Sequence, residues 1–281
     1  MSKIWVTNAD GTRNLFNRQR IVKTCLRMRV SEEIAKVVAD KVEKNVYNGI
    51  QTRKILQMIF EYLQRERSTF KHRIDLRRAI SLLRPVPDWE HYIQMLLSEL
   101  GYSITSNQII RGRCVEHEID AVAQKGDETI LVEIKHHYKY HTSTGLDVCR
   151  IIRATFEDMT EGFDLGLNQI NFNKTLIICN TKFSNHAKQY AKCRDIDHIG
   201  WNSPLEHGLD RIIEENKFYP ITLISNLDIK TEEKLGNKGI VLLRQLTENS
   251  ITELAKKTGI KRYRVAELTQ KAQSILSYSR S

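Results

Sequence analysis

The chain has 281 residues, with 44 Lys/Arg against 34 Asp/Glu and a formal net charge of +10. That length suits two or three domains, no apolar run is long enough to span a bilayer, and no signal-peptide pattern is present, so no membrane partner is expected. Cys25, Cys114, Cys149, Cys179 and Cys193 are scattered without metal-knuckle spacing and read as reduced thiols of a cytoplasmic protein.

The charge is uneven. Residues 1–84 carry 19 Lys/Arg against 8 Asp/Glu, residues 85–217 carry 14 against 20, and residues 218–281 carry 11 against 6. Two basic flanks enclose an acidic middle. This suits an acidic metal-dependent site delivered to a polyanion by its neighbours.

A strand is predicted over residues 3–8, followed by an Asp10-Gly11 turn and Leu15-Phe16-Asn17. Asn17 caps a helix from Arg18 to Met28, Ser31 starts a second through Val46, and Thr52 caps a third through Arg65. A fourth helical stretch runs from Thr69 to Leu83 and carries Arg73, Arg77 and Arg78. The order strand, Asp-Gly, Phe16-Asn17 and Ile21 resembles the ATP-cone domain over residues 1–84. The resemblance implies ATP or dATP as a regulatory ligand, with Arg20 and Lys23 as the phosphate contacts. The family's Lys-Arg pair before Asp-Gly is replaced here by Asn8-Ala9. A structural or dimerising module, or an Arg-rich last helix against DNA backbone, remains an alternative.

Pro85-Val86-Pro87 separates this segment from the next. Residues 87–102 form an amphipathic helix that Gly101 stops. A β-hairpin follows: Glu118 to Ala123, a turn at Gly126-Asp127, then Thr129 to Lys135. A two-residue loop makes Lys125 face Glu128 and sets Asp120 opposite Glu133. Glu133 and Lys135, two apart, share a strand face. Asp120, Glu133 and Lys135 therefore converge, while Ile119, Leu131 or Val132, and Ile134 largely serve the other face. Opposed carboxylates repel, and Mg²⁺, which takes one or two carboxylates plus water and phosphate, is the natural compensation. The lysine would orient or deprotonate water, or stabilise charge on phosphate.

The helix, the hairpin, the strand Thr175 to Asn180 and the end strand Ile196 to Trp201 follow in an order that resembles the Mrr-like branch of the PD-(D/E)xK restriction endonucleases, over residues 86–205. The resemblance implies a mixed α/β core and Mg²⁺-dependent DNA cleavage, with Mn²⁺ as a substitute ion. Asp120 and Glu133 would be metal ligands, Lys135 the catalytic lysine and Glu90 the helix carboxylate that completes the site. Glu90 also reads as a first-turn acid favoured by the helix dipole. Glu118 is expected to be a spectator. His136, His137 and His141 are expected on a loop entering the DNA groove rather than on a metal.

A linker helix is predicted over residues 206–220, ended by Pro220. Residues 221–281 then repeat a helix, a glycine turn with Ile, and a helix, at Gly239-Ile240 and Gly259-Ile260. Ser250 and Glu253 have capping-box spacing. The pattern resembles tandem helix-hairpin-helix motifs and implies phosphate contacts at Lys238, Gly239, Gly259, Lys261, Arg262 and Arg264. A helical packing or dimerisation domain is the alternative.

The expected architecture is multidomain α/β: a restriction-endonuclease-like mixed sheet flanked by helices, between a mostly helical ATP-cone and an all-α helix-hairpin-helix domain. The expected function is a Mg²⁺-dependent endonuclease acting on duplex or branched DNA. One active site cuts one strand, so duplex cleavage favours a homodimer. The alternative is a non-catalytic DNA-binding or nucleotide-sensing regulator.

Overall fold

The computed structural model describes residues 4–8, 11–27, 30–66 and 76–277. The predicted turn residue Asp10 and the stretch 69–75 with Arg73 lie outside them.

The amino-terminal module pairs β1 (Trp5–Thr7) antiparallel with β2 (Arg13–Leu15) and parallel with β3 (Ile50–Gln51). Three helices follow the sequence expectation: α1 (Arg18–Arg27), α2 (Glu32–Glu43) and α3 (Thr52–Glu66). Asn17 Oδ1 accepts the Gln19 amide at 2.8 Å and satisfies an end-of-helix donor. The module closes its own core with Ile21, Cys25, Val38, Val42, Ile50, Ile59 and Leu63. Burial pushes the Cys25 thiol up to about 12, so this cysteine acts as a small apolar residue.

α4 (Leu76–Leu82) leads through Pro85–Trp89 into α5 (Glu90–Glu99). The central sheet contains β4 (Ser103–Arg111), β5 (Glu116–Lys125), β6 (Glu128–Lys135), β8 (Lys174–Cys179) and β10 (Ile196–Ile199) in the order β10-β8-β6-β5-β4. β4, β5 and β6 run antiparallel, whereas β6, β8 and β10 are parallel. The parallel connections carry helices, as they must: α6 (Leu146–Asp164) and α7 (Asn185–Cys193). A short pair, β7 (Ser143–Thr144) with β9 (Lys182–Phe183), sits beside the sheet.

The sheet is buried on both faces, which explains the apolar runs in β6 and β8. Val122, Leu131, Ile177 and Cys179 pack with Cys149, Ile152 and Met159 of α6. Ala121, Ala123, Val132, Ile134 and Ile178 face α5. The second layer is larger than the sequence implied. The predicted linker helix is α8 (Leu209–Glu215), and Leu209, Ile212 and Ile213 enter the core with α5. The tail helices α9 (Ile229–Gly236), α10 (Leu243–Glu248), α11 (Ile251–Thr258) and α12 (Arg262–Ser277) contribute Leu235, Leu246, Leu254, Val265 and Leu268 to the same core. Tyr92 Oη donates to Phe218 O at 2.6 Å, and Arg244 pairs with Glu99 at 2.9 Å. The tail is thus fused to the sheet domain by continuous apolar packing. An amphipathic helix declares that it has an apolar face but not what covers it.

Candidate active site

The hairpin register starts at Lys125↔Glu128 and runs to Ala121↔Val132. Gly126 takes φ +58°, as a tight turn requires. One step further would oppose Asp120 to Glu133, but the ladder ends there. The Ile134 amide, in register with Ile178 of β8 but without a partner on β5, donates to Asp120 Oδ2 at 2.6 Å. On the other side of β5, the ladder with β4 also skips Asp120, opposite Asn107 at φ +50°. The carboxylate therefore stands where β5 leaves β6 and where its ladder with β4 is interrupted for one pair before resuming at Gln108↔Ile119.

Leu131, Glu133 and Lys135 alternate with Val132 and Ile134, so Glu133 and Lys135 share the face of Leu131. Leu131 thus lies on the face of the acids, while Val132 and Ile134 take the other. Lys135 Nζ meets Glu133 Oε1 at 2.5 Å. Burial would lower the Lys135 pKa, but the bond to Glu133 and the fields of Glu133 and Asp120 outweigh it and raise it. Lys135 is a cation in this state.

Four carboxylates gather here. Asp120 is half-buried and its pKa is raised by burial, against the lowering from the Ile134 amide. Glu133 and Glu118 raise it further, and Lys135 lowers it. Glu90, in the first turn of α5, is raised by burial and then by Asp120 and Glu118. Asp120 thus feels the Glu133–Lys135 pair, and Glu90 feels Asp120 and Glu118 from the α5 side of the sheet. Charge crowding of this kind marks functional sites.

Among the described residues, no three His, Cys, Asp or Glu side chains converge as a preformed metal cage. Mg²⁺ needs no such cage. It takes one or two carboxylates and completes its shell with water and phosphate. Repulsion between the Asp120 and Glu133 carboxylates, already felt in the raised Asp120 pKa, fits such an ion.

The histidines after Lys135 diverge. His136 Nε2 lies 3.2 Å from Ile80 O, and its ring sits 5.5 Å from that of Trp89. His137 Nε2 lies 3.2 Å from Thr144 Oγ1. Both are half-buried and held by protein contacts. Sequence reasoning missed Asn180. It is fully buried, receives the His137 amide at 2.8 Å and donates to the His137 carbonyl at 2.8 Å. This clamp fixes the chain just past Lys135. A polar residue ending an apolar strand was the only signal for it.

The remaining predicted residues lie elsewhere. Arg20 and Lys23 are exposed on α1 and line two adjoining cavities that share Thr24, Leu56, Tyr140 and His141. Gly239, at φ +70°, faces His91, and a Cβ there would stand 3.0 Å from His91 Nε2. The first glycine turn is therefore packed against α5, with exposed Lys238 beside it. Gly259, at φ +67°, has open space around it. Near it Lys261 and Arg262 are exposed, whereas Arg264 is held by Glu267 at 2.6 Å and Asp228 at 3.0 Å.

A family model described as restriction endonuclease matches residues 86–199, and one described as AF1548-like, C-terminal matches residues 219–276. The second stands where helix-hairpin-helix motifs were expected. An uncharacterized protein of Archaeoglobus fulgidus is 31% identical over 181 residues, covering 64% of this chain and 98% of its own length. A solved structure described as the crystal structure of protein of unknown function AF1548 is similar, with 30% identity and a TM-score of 0.58. The similarity covers 67% of this chain and 96% of that one.

Proposed function

Because the chain belongs to the AF1548-like family and carries a restriction-endonuclease domain, we propose that it is a metal-dependent endonuclease that hydrolyses DNA phosphodiester bonds at Asp120, Glu133 and Lys135. The observation that carries this reading is the tie of Asp120 to the Ile134 amide beside the Glu133–Lys135 pair. It holds two carboxylates and a cation at one parting of the strands.

Asp120 and Glu133 would hold Mg²⁺, and Glu90 would complete the acidic wall. When bound, the ion would neutralise the carboxylates and draw charge from the scissile phosphate. Lys135, held beside Glu133, is placed to donate a hydrogen bond to a phosphate oxygen as negative charge builds there, or to orient the attacking water. Water adds its oxygen to phosphorus as one P–O ester bond breaks, and a proton from it passes through solvent to the departing oxygen, leaving a phosphate monoester and a free hydroxyl. The Ile134 amide keeps Asp120 oriented throughout, and the Asn180 clamp keeps the Lys135 end of β6 from swinging.

The exposed second glycine turn, with Lys261 and Arg262, supports phosphate contact by the tail in the manner of a helix-hairpin-helix unit. Arg264 is neutralised by its acidic partners and is dropped from that role.

The test is paired. Mn²⁺ binding by calorimetry and nicking of supercoiled plasmid are measured for wild type and Glu133→Gln. Loss of both in the variant supports the reading. Nicking that survives in Glu133→Gln or in EDTA would refute it.

A further inference from the structure

β10 is an edge of the central sheet, and α7 flanks it. An open groove of about 1110 Å³ runs along this edge, lined by α7, β10, Leu97 and Leu100 at the end of α5 and residues 202–205. It collects lysines in a segment that is otherwise acidic: residues 85–217 carry 14 Lys/Arg against 20 Asp/Glu. Lys174, Lys182, Lys188 and Lys192 all line it. At one end, Lys174 is paired with Glu128 and contributes little field. At the other, Lys188 and Lys192 sit one helical turn apart on α7, both exposed. Neither makes an ion pair among the described residues. Lys182, on β9, is exposed beside them. Asp195, just past the end of α7, and Asp197 also line the groove, so its positive character rests on Lys182, Lys188 and Lys192 rather than on its whole length.

The direction of the groove matters as much as its charge. Its wall at Asn202 and Leu205 is shared with a cavity of about 800 Å³ that also reaches Tyr140, His141 and Trp201. Those residues follow the carboxyl ends of β6 and β10, and Lys135 is the last residue of β6. Independently of that cavity, Lys135 stands in register with Cys179 at the end of β8, and Lys182 follows three residues later, so the lysine side of the groove begins near the proposed cutting site.

We propose that the α7 side of the groove along β10 holds the phosphodiester backbone of DNA flanking the scissile bond, through Lys188 and Lys192 with Lys182 behind them. The inference rests on the nuclease reading above and extends it to a second surface. Lysines are flexible point charges, suited to phosphate and indifferent to base sequence. The groove therefore contributes affinity and orientation, not site choice.

The test uses the full chain and a short fluorescein-labelled duplex in EDTA, with anisotropy read over a range of salt. Lys188→Glu/Lys192→Glu is expected to weaken binding at low salt by at least about 10-fold. The slope of log affinity against log salt should fall by about 2, since each lost phosphate contact removes roughly 0.9. Lys188→Gln/Lys192→Gln should give the same sign with less effect, and circular dichroism checks that both variants fold. Arg150→Glu/Lys217→Glu changes net charge equally at exposed positions away from the groove and should leave the slope unchanged. An unaltered slope in both Lys188/Lys192 variants, or an equal loss in Arg150→Glu/Lys217→Glu, overturns the groove. In either case, metal-dependent nicking by wild type would leave the nuclease reading standing. A wild-type chain that neither binds nor nicks DNA overturns both.

Discussion

The Ile134 amide donates to the Asp120 carboxylate at 2.6 Å, at the point where the β5–β6 ladder stops. The bond locks a carboxylate beside Glu133 without neutralising either acid. Asp120→Asn keeps an acceptor for Ile134 and removes the charge. Plasmid nicking should fall by about 100-fold or more, while thermal unfolding shows a metal-free protein as stable as wild type or slightly more so, by about 0.5 kcal/mol from relieved repulsion.

Crowding by Glu118 gives a pH signature. Asp120 and Glu90 both titrate above their ordinary values, and Glu118 raises each. Protons compete with the metal for Asp120, so activity falls as pH drops through the raised value. Glu118→Gln lowers both pKa values and should move the acid limb of the nicking profile to lower pH, with the plateau rate unchanged. An immobile acid limb would contradict the coupling.

Glu232 offers a stability test at the junction of tail and sheet domain. Burial, and then Asp88, lift its carboxyl from the ordinary 4.5 to about 7, against the lowering from Arg84. A raised carboxyl favours the folded state at low pH. That contribution is complete below pH 4.5 and is lost as pH rises to about 7. Glu232 is only partly buried, so solvent screening leaves about 1–2 kcal/mol. Glu232→Gln should raise Tm at pH 8 and leave it unchanged at pH 4.5.

Gly236 lies against the Arg84–Asp88 ion pair. A Cβ there would stand 2.1 Å from Asp88 Oδ1 and 2.6 Å from Arg84 Nη2. Asp88 is 1% exposed and has nowhere to retreat. Gly236→Ala should cost about 1–3 kcal/mol in urea unfolding. A neutral result would mean the tail seats more loosely than the packing implies.

The hairpin was legible in the sequence because a Gly-Asp turn fixes strand register, and register fixes which side chains share a face. That reasoning brought Glu133 and Lys135 together. It did not reveal that the ladder ends at Ala121↔Val132, because the separation depends on Asn107 across the sheet and on the Ile134 amide. The glycine turns of the tail imply a DNA-binding unit, with a helical packing or dimerisation domain as the alternative. Two identical-looking turns have different fates here: Gly239 is packed on His91, and Gly259 is open. Spacing alone does not distinguish them. The shared core also changes an experiment: deleting residues 221–281 would strip apolar cover from α5, so that variant would report lost folding before lost DNA binding.

The central claim is tested most directly by incubating supercoiled plasmid with wild type and Lys135→Ala in Mg²⁺, Mn²⁺ or EDTA. The account predicts metal-dependent nicking or linearisation by wild type, none in EDTA, and loss in Lys135→Ala with DNA binding retained. Equal cutting by Lys135→Ala, or cutting in EDTA, would contradict it.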